Sequence, residues 1–234
     1  MRLRQSEGKG NRMAHLDIAK PLLARSERLA AANKKRLIEA GIFMVDLMAS
    51  PGAGKTSTIL ATIEALRADY RIAVIEGDIA SDVDSQTIKS RGIAAVQINT
   101  GGACHLEGDM ISRALDVLDL DALDLIIIEN VGNLVCPTDF YLGEDAKVMI
   151  LSVPEGDDKP LKYPGIFQIS DAIILNKVDT TGVFDFDREA FFSAVRGLNP
   201  TAPVFEIAAT KAQGVEPWTD WLAARIEEKR SAVL

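Results

Sequence analysis

The stretch "ASPGAGKTS" (Ala49–Ser57) decides the fold, because it joins an apolar run to a helical pattern through two closely spaced glycines. The preceding run, "IFMVDLM" (Ile42–Met48), has the length and composition of a buried strand. Glycines let a backbone wrap closely around phosphate oxygens, and the N-terminus of a helix attracts anions. The stretch therefore predicts a phosphate-binding loop between a first strand and a helix that runs from about Gly54 to Leu66.

The pattern G-x-x-x-x-G-K-S/T assigns a role to most residues of this loop. Lys55 is expected to reach the β- and γ-phosphates, and the Thr56 hydroxyl is expected to ligate Mg²⁺. Ala49 stands where the pattern has its first glycine, which the loop tolerates if the φ angle there is negative. The loop residues predicted to contact the nucleotide are Gly52, Ala53, Gly54, Lys55, Thr56 and Ser57.

Six further apolar runs follow along the chain, and helical patterns separate most of them. They are residues 71–76, 94–98, 123–129, 146–153, 171–176 and 203–208. Near-continuous apolar strands that alternate with helices indicate a sheet buried on both faces. We therefore expect an α/β P-loop NTPase fold, with a mostly parallel sheet of about seven strands and helices on both faces. Residues 15–234 are predicted to form this single domain, including an N-terminal helix, after a flexible arm at residues 1–14.

The composition of the 234-residue chain excludes several classes of partner. A net charge of −8 argues against a nucleic-acid backbone or an anionic membrane as the main partner. No apolar run approaches the roughly 20 residues that a membrane span needs. Two cysteines cannot build a disulfide scaffold, so the sequence predicts a reduced, cytoplasmic protein.

The tetrapeptide "NKVD" (residues 176–179) ends a predicted strand and matches the N-K-x-D guanine signature. The Asp179 carboxylate can accept from guanine N1–H and the 2-amino group together, whereas adenine offers no such pair of donors. Asn176 is expected to hold neighbouring loops, and the stem of Lys177 is expected to lie along the base. The third guanine element is usually S-A-K, but "AAT" stands there and predicts backbone contacts alone, from Ala209.

Two segments that contain carboxylates are predicted to hold Mg²⁺ and to sense the terminal phosphate. In "EGDIASDVD", Asp78 is placed to bind Mg²⁺ or to orient the attacking water, with Asp82 and Asp84 as alternatives. In "ENVG", Glu129 stands where the D-x-x-G switch has an aspartate, and the Gly132 N–H is expected to sense the γ-phosphate. The residues assigned to catalysis are Lys55, Asp78, Glu129 and Gly132, and those assigned to Mg²⁺ are Thr56, Asp78 and Glu129.

The stretch "GGACHLEGD" holds Cys104 and His105, one of the two cysteines and one of the two histidines of the chain. The second cysteine, Cys136, lies in "NLVCP", four residues after Gly132. Thiolate and imidazole suit Ni²⁺ and Zn²⁺, and parallel-sheet connections can bring the two loops to one edge. A helix after His105 is expected to lower the pKa of the Cys104 thiol. On the residues alone, a metal site and two buried structural cysteines with a solvated histidine both stay open. Glu107 and Asp109 are optional weak ligands, although a solvated position at the helix start is favoured for both.

Taken together, these motifs resemble the HypB family, the nickel-incorporation GTPases of nickel–iron hydrogenase maturation. The resemblance runs through "LMASPGAGKTS", "GDIASDVD", "TGGACHLEGDM", "IIIENVGNLVCP", "SVPEGDDKPLKYP" and "LNKVD", over about residues 15–225. It implies a GTP-hydrolysing nickel metallochaperone that dimerises with nucleotide, works with a HypA-type nickel chaperone and serves the hydrogenase large subunit. It also implies that Cys104, His105 and Cys136 bind Ni²⁺ or Zn²⁺, within one chain or between two.

Three other functions are compatible with the sequence. An ATP-dependent kinase shares the phosphate loop, although Asp179 favours guanine over adenine. A metallochaperone GTPase for urease or for a cobalamin-dependent enzyme shares the loop and N-K-x-D, but not the combined cysteine and histidine motifs. A GTP-gated scaffold, in which hydrolysis is incidental, is the non-enzymatic alternative.

Overall fold

Seven parallel strands form one sheet in the structure, a computed structural model that describes residues 19–78 and 92–233, with side chains at 25–77 and 92–232. The strands are β1 Phe43–Ala49, β2 Ile72–Asp78, β3 Ala94–Asn99, β4 Leu125–Glu129, β5 Ala146–Ser152, β6 Ala172–Asn176 and β7 Val204–Glu206. Their order in the sheet is β3-β2-β4-β1-β5-β6-β7, and each of the six pairings is parallel. The predicted P-loop NTPase fold is therefore confirmed, strand for strand.

Seven described helices cover the two faces of this sheet. They are α1 Ala19–Glu39, α2 Lys55–Leu66, α3 Gly108–Val117, α4 Lys159–Lys162, α5 Pro164–Ile169, α6 Arg188–Leu198 and α7 Val215–Val233. Buried side chains place α2 and α7 on one face, and α1, α3, α5 and α6 on the other. The predicted N-terminal helix corresponds to α1, whereas the predicted arm at residues 1–14 lies outside the described residues.

Alternate residues of β1 point to opposite helical layers, as the two-residue period of a strand requires. Val45 packs with Trp218 beneath α2 and α7. Met44 packs with Ile111 beneath α1 and α3. The buried Trp218 indole N–H donates to Thr62 Oγ1 at 2.8 Å, so the tryptophan serves the core and leaves no polar atom unpaired.

The carboxyl ends of all seven strands meet at one edge, because every strand runs in the same direction. The phosphate loop follows β1, the Cys104 loop follows β3, and the switch segment follows β4. The N-K-x-D segment spans the end of β6 at the same edge. Among the described residues, no helix combines the length and apolar character needed to cross a bilayer. The fold thus gathers every described candidate loop on one side of the sheet.

Candidate functional site

The phosphate loop passes from β1 to α2 through two glycines in left-handed conformations. Gly52 has a φ angle of +80° and Gly54 has a φ angle of +99°. A Cβ atom at Gly54 would lie 2.4 Å from Asn176 Nδ2, so no larger residue fits without displacing that side chain. Ala49 ends β1 and is not among the described non-glycine residues with positive φ, so an alanine is unstrained there.

A cavity of about 540 Å³ lies over this loop and over the carboxyl ends of β2 and β4. Lys55, Thr56 and Ser57 line the cavity together with the loop glycines. Ala53 does not line it, because its side chain packs into the core and its carbonyl accepts from Asn176 Nδ2 at 3.0 Å. Any contact of Ala53 with a nucleotide is therefore confined to its backbone.

Two buried glutamates lie side by side on β2 and β4 at the wall of this cavity. Glu76 and Glu129 are register partners, and both line the cavity. The Thr56 hydroxyl donates to Glu129 Oε1 at 2.9 Å. Asp78 ends β2, but its side chain lies outside the described residues, as do Asp82 and Asp84. Sequence reasoning missed Glu76, because only the register of β2 against β4 places it beside Glu129.

Of the N-K-x-D segment, Lys177 lines this cavity, whereas Asn176 and Asp179 do not. Asn176 Nδ2 donates to Ala53 O at 3.0 Å, and Asn176 Oδ1 accepts from Ala209 N–H at 3.2 Å. This single side chain therefore links the phosphate loop to the third guanine element. Lys177 has a φ angle of +59°, and its ammonium donates to Gly52 O at 2.7 Å. Its stem consequently reaches along the side of the cavity.

Asp179 forms an ion pair that the sequence motif did not indicate. Lys211 Nζ lies 2.8 Å from Asp179 Oδ2, and this hydrogen bond lowers the pKa of the Asp179 carboxyl. The carboxylate is therefore held ionised, which is the form that accepts two hydrogen bonds. Lys211 directly follows the "AAT" segment. The chain after β7 therefore places a lysine on Asp179, in addition to the backbone contacts expected of "AAT".

The switch segment after β4 packs directly on the phosphate loop. Gly132 lines the cavity, and a Cβ atom there would lie 2.9 Å from Pro51 Cγ. The Asn133 N–H donates to Ala49 O at 2.9 Å, which fixes the segment against the end of β1. A phosphate that contacts the Gly132 N–H would therefore act on a segment already in contact with the loop.

A buried charged cluster lies beneath the switch. Asn130 Nδ2 donates to both carboxylate oxygens of Asp46, at 3.0 and 3.1 Å. Lys147 Nζ lies 3.4 Å from Asp46 Oδ2 and 3.0 Å from Glu144 Oε1. Burial raises the pKa of Asp46 to about 6, although the Lys147 charge lowers it. The cluster therefore connects Asn130, which directly follows Glu129, to Asp46 in the middle of β1.

Replacing Asp46 with Asn is expected to change how the free energy of unfolding depends on pH. Burial raises the folded-state pKa from 3.8 to about 6, so the folded protein binds this proton more tightly than the unfolded chain does. Asp46 therefore lowers the free energy of unfolding as pH rises from about 4 to about 6, and Asp46→Asn removes that loss. Urea unfolding of both proteins across this window tests the prediction, and parallel pH profiles would contradict it.

The three predicted metal ligands meet at the same edge of the sheet. One ligand atom from each of Cys104, His105 and Cys136 lies within 4.8 Å of the other two. The two Sγ atoms are 3.0 Å apart, and Cys104 Sγ lies 3.7 Å from His105 Nδ1. The expectation of a lowered Cys104 pKa was wrong, because the hydrogen bond with Cys136 raises it. Such a proton shared between two close thiols is one that a divalent cation would displace.

Two contacts hold the His105 ring in place. Phe140 stacks on it with ring centroids 3.7 Å apart and an interplanar angle of 17°. On the far side of the imidazole, Nε2 lies 3.3 Å from Glu107 Oε1. This leaves Nδ1 directed towards Cys104, with Glu107 on the opposite side of the ring. Sequence reasoning missed Phe140, because nothing in a lone phenylalanine indicates which ring it contacts.

Comparison with known proteins leads to one family. The nucleotide-binding domain family of CobW/HypB/UreG matches residues 44–206. The hydrogenase maturation factor HypB of Azotobacter chroococcum is 44% identical over 221 residues, which cover 94% of this chain and 70% of that protein. The crystal structure of HypB from Helicobacter pylori in complex with nickel is similar, with a TM-score of 0.83 and 38% identity, over 88% of this chain and 97% of that one.

A second solved structure leads to the same family. The crystal structure of the hydrogenase maturation factor HypB from Archaeoglobus fulgidus has a TM-score of 0.82 and 39% identity, over 87% of this chain and all of that one. The family match, the identities of the relatives and the agreement of the folds extend over most of the chain. The chain therefore belongs to the HypB family of hydrogenase maturation factors.

Proposed function

We propose that this protein is a GTP-hydrolysing nickel metallochaperone that delivers Ni²⁺ to the large subunit of a nickel–iron hydrogenase or gates its insertion there. One observation carries the proposal: a single sheet edge holds both the phosphate cavity and the cluster of Cys104, His105 and Cys136. Membership of the HypB family supports hydrogenase maturation. The similar Helicobacter pylori structure, which is a complex with nickel, supports nickel as the cargo over zinc.

GTP is the proposed nucleotide. Asp179 accepts from the two donors of the guanine edge, and Asn176 with the Ala209 backbone frames the base. Lys55 stabilises the charge of the β- and γ-phosphates, and the Gly132 N–H senses the terminal phosphate. GTP hydrolysis is then promoted by positioned positive charge and backbone amides at the terminal phosphate.

Mg²⁺ is the proposed cofactor of this step. The Thr56 hydroxyl and the Glu129 carboxylate would hold it, with Asp78 as the further carboxylate of the set. Hard oxygen donors beside a phosphate cavity suit Mg²⁺, so the residues fit this cation. When bound, Mg²⁺ would neutralise charge on the β- and γ-phosphate oxygens. Glu76 adds a second buried carboxylate to the same wall.

Nucleotide state is proposed to control the metal site through a short segment. Cys136 lies four residues after Gly132, and the Asn133 N–H contacts the phosphate loop at Ala49 O. GTP would fix Gly132 and thereby the position of Cys136. Hydrolysis would release the segment and lower the affinity for Ni²⁺. This coupling requires that the GTP-bound and GDP-bound states bind Ni²⁺ with different affinities.

A nucleotide-dependent homodimer is the proposed working assembly. Three ligands from one chain leave a coordination position open, which a second copy could fill at a shared site. The exposed apolar side chains of Val135, beside Cys136, and of Leu161 support a protein contact at this edge. In this scheme a HypA-type chaperone supplies nickel in the cytoplasm, and the hydrogenase large subunit receives it.

Maturation of urease is the second candidate function. The Helicobacter pylori relative is named a hydrogenase/urease maturation factor, and it is 39% identical over 217 residues, or 91% of this chain and 88% of that protein. The chemistry of the metal site suits either nickel enzyme. Nickel transfer to each apo-enzyme in turn separates the two functions.

The proposed function is tested by measuring hydrolysis and nickel affinity on the same preparation. We expect Mg²⁺-dependent phosphate release from GTP but not from ATP, and a nickel affinity that differs between the complexes with a GTP analogue and with GDP. Equal release from both nucleotides would contradict guanine selection. Equal nickel affinities in the two complexes would contradict the coupling of the sites, while leaving GTP hydrolysis itself intact.

A further inference from the structure

Asn133 contacts the phosphate loop and both loops that supply thiols. Its backbone N–H donates to Ala49 O at 2.9 Å, at the start of the phosphate loop. Its Oδ1 accepts from the backbone N–H groups of Val135 at 2.8 Å and Cys136 at 3.3 Å. Its Nδ2 donates to Cys104 O at 3.4 Å, across to the loop after β3. One residue therefore joins three segments that are far apart in sequence.

We propose that Asn133 is the positioning residue through which the nucleotide sets the geometry of Cys104 and Cys136. The inference rests on the proposed coupling of the two sites and assigns it to one side chain. Gly132, its neighbour, packs against Pro51 with no room for a Cβ atom. A γ-phosphate that moves Gly132 must therefore move Asn133, which carries both thiol loops with it.

The chemistry of the side chain suits this task. An amide offers two donor hydrogens and two acceptor lone pairs on one planar group, so it can hold the Cys136 turn and reach the Cys104 carbonyl at once. The Nδ2 contact of 3.4 Å is longer than the usual 2.9–3.0 Å of an N–H···O bond. That contact is therefore the one with room to shorten when the switch moves, which would bring the loops together.

A second contact joins the same two loops without reaching the nucleotide. His105 stacks on Phe140, which follows Cys136. The contacts described for these two rings involve Cys104 and Glu107, and they include no residue of the phosphate loop. The stack can therefore hold the loops together in every nucleotide state, whereas Asn133 also contacts Ala49 and can transmit a change.

The test compares nickel affinity in two nucleotide states for three proteins: wild type, Asn133→Ser and Thr138→Val. Serine keeps a short acceptor for the local turn but cannot reach the Cys104 carbonyl. Thr138 Oγ1 donates to Val135 O in the same turn, so Thr138→Val is a matched control that loosens the turn without touching the Cys104 loop. Nickel affinities are measured by competition with a chromophoric chelator, in GTP analogue and in GDP.

In the wild type, the two nickel dissociation constants are expected to differ by about 5- to 150-fold, the usual range for coupled sites. In Asn133→Ser this ratio should fall to about one, while nickel stoichiometry and the KM for GTP stay near wild-type values. Thr138→Val should keep the wild-type ratio. An undiminished ratio in Asn133→Ser, or an equal loss in Thr138→Val, would overturn the role of Asn133. A wild-type ratio of one would instead overturn the proposed coupling, and this inference with it.

Discussion

Replacing Asp179 with Asn is expected to lower the affinity for GTP by about 100- to 10,000-fold, because two hydrogen bonds to a charged acceptor are each worth about 1.5–3 kcal/mol. The amide N–H of the asparagine would also face the 2-amino group of guanine, which is itself a donor. Xanthine carries a carbonyl in place of that amino group, so the affinity for xanthosine triphosphate should rise in the same variant. The substitution should therefore exchange the preferred base and leave the phosphate site intact.

Competition binding against a fluorescent GTP analogue measures this exchange, with GTP, xanthosine triphosphate and ATP as competitors. Asp185→Asn is the matched control, because Asp185 is an exposed carboxylate on the same loop. An Asp179→Asn variant that still prefers GTP would contradict the assignment of the guanine site. Loss of binding to all three nucleotides would indicate that the substitution damages the loop. A lowered melting temperature of Asp179→Asn, with normal binding by Asp185→Asn, would identify that outcome.

The loop between β1 and α2 and the turn at the end of β6 could be predicted because each depends on residues close together in sequence. Gly52, Gly54 and Lys55 occupy a single turn whose neighbours, strand and helix, are also local. Asn176 to Asp179 likewise ends one strand. The conformation of such segments depends mainly on neighbouring residues, so the hydrophobic period and the positions of the glycines are enough to identify them.

The residues that sequence reasoning missed depend on register between distant segments. Glu76 lies beside Glu129 only because β2 pairs with β4 in that register. Lys211 reaches Asp179 only because the segment after β7 packs beside β6. A charged residue in a local window gives no sign of such a partner, since its neighbours come from segments tens of residues away.

The proposed metal site depends both on residues that are adjacent in sequence and on residues brought together by the sheet. Cys104 and His105 are adjacent in sequence, but Cys136 is 32 residues away and follows β4. Strands β3 and β4 are not neighbours, because β2 lies between them. The two loops nevertheless meet above β2, which brings the Sγ atoms within 3.0 Å. The residue types of the three candidate ligands could be read from the sequence, but the order of the strands in the sheet is needed to explain how their loops come together.

Replacing Cys104 or Cys136 with Ser is expected to lower nickel affinity by more than about 100-fold, the upper limit for loss of an outer-shell partner of a metal ligand. A serine hydroxyl stays protonated at neutral pH, so it cannot stand in for a thiolate. Cys104 is exposed and Cys136 is partly buried, so the core should tolerate either change. Phe140→Leu, which removes the ring beneath His105 and no ligand, should cost less.

Equilibrium dialysis with Ni²⁺ in the GTP-analogue state gives both stoichiometry and affinity for these variants and for the Cys104→Ser and Cys136→Ser double variant. If the three residues bind one ion together, the double variant should lose little beyond either single variant, because the first substitution already dismantles the site. Additive losses would instead indicate two independent weak sites. Unchanged nickel stoichiometry in both single variants would contradict the metal site, since the 3.0 Å approach of the thiols would then have no role in binding.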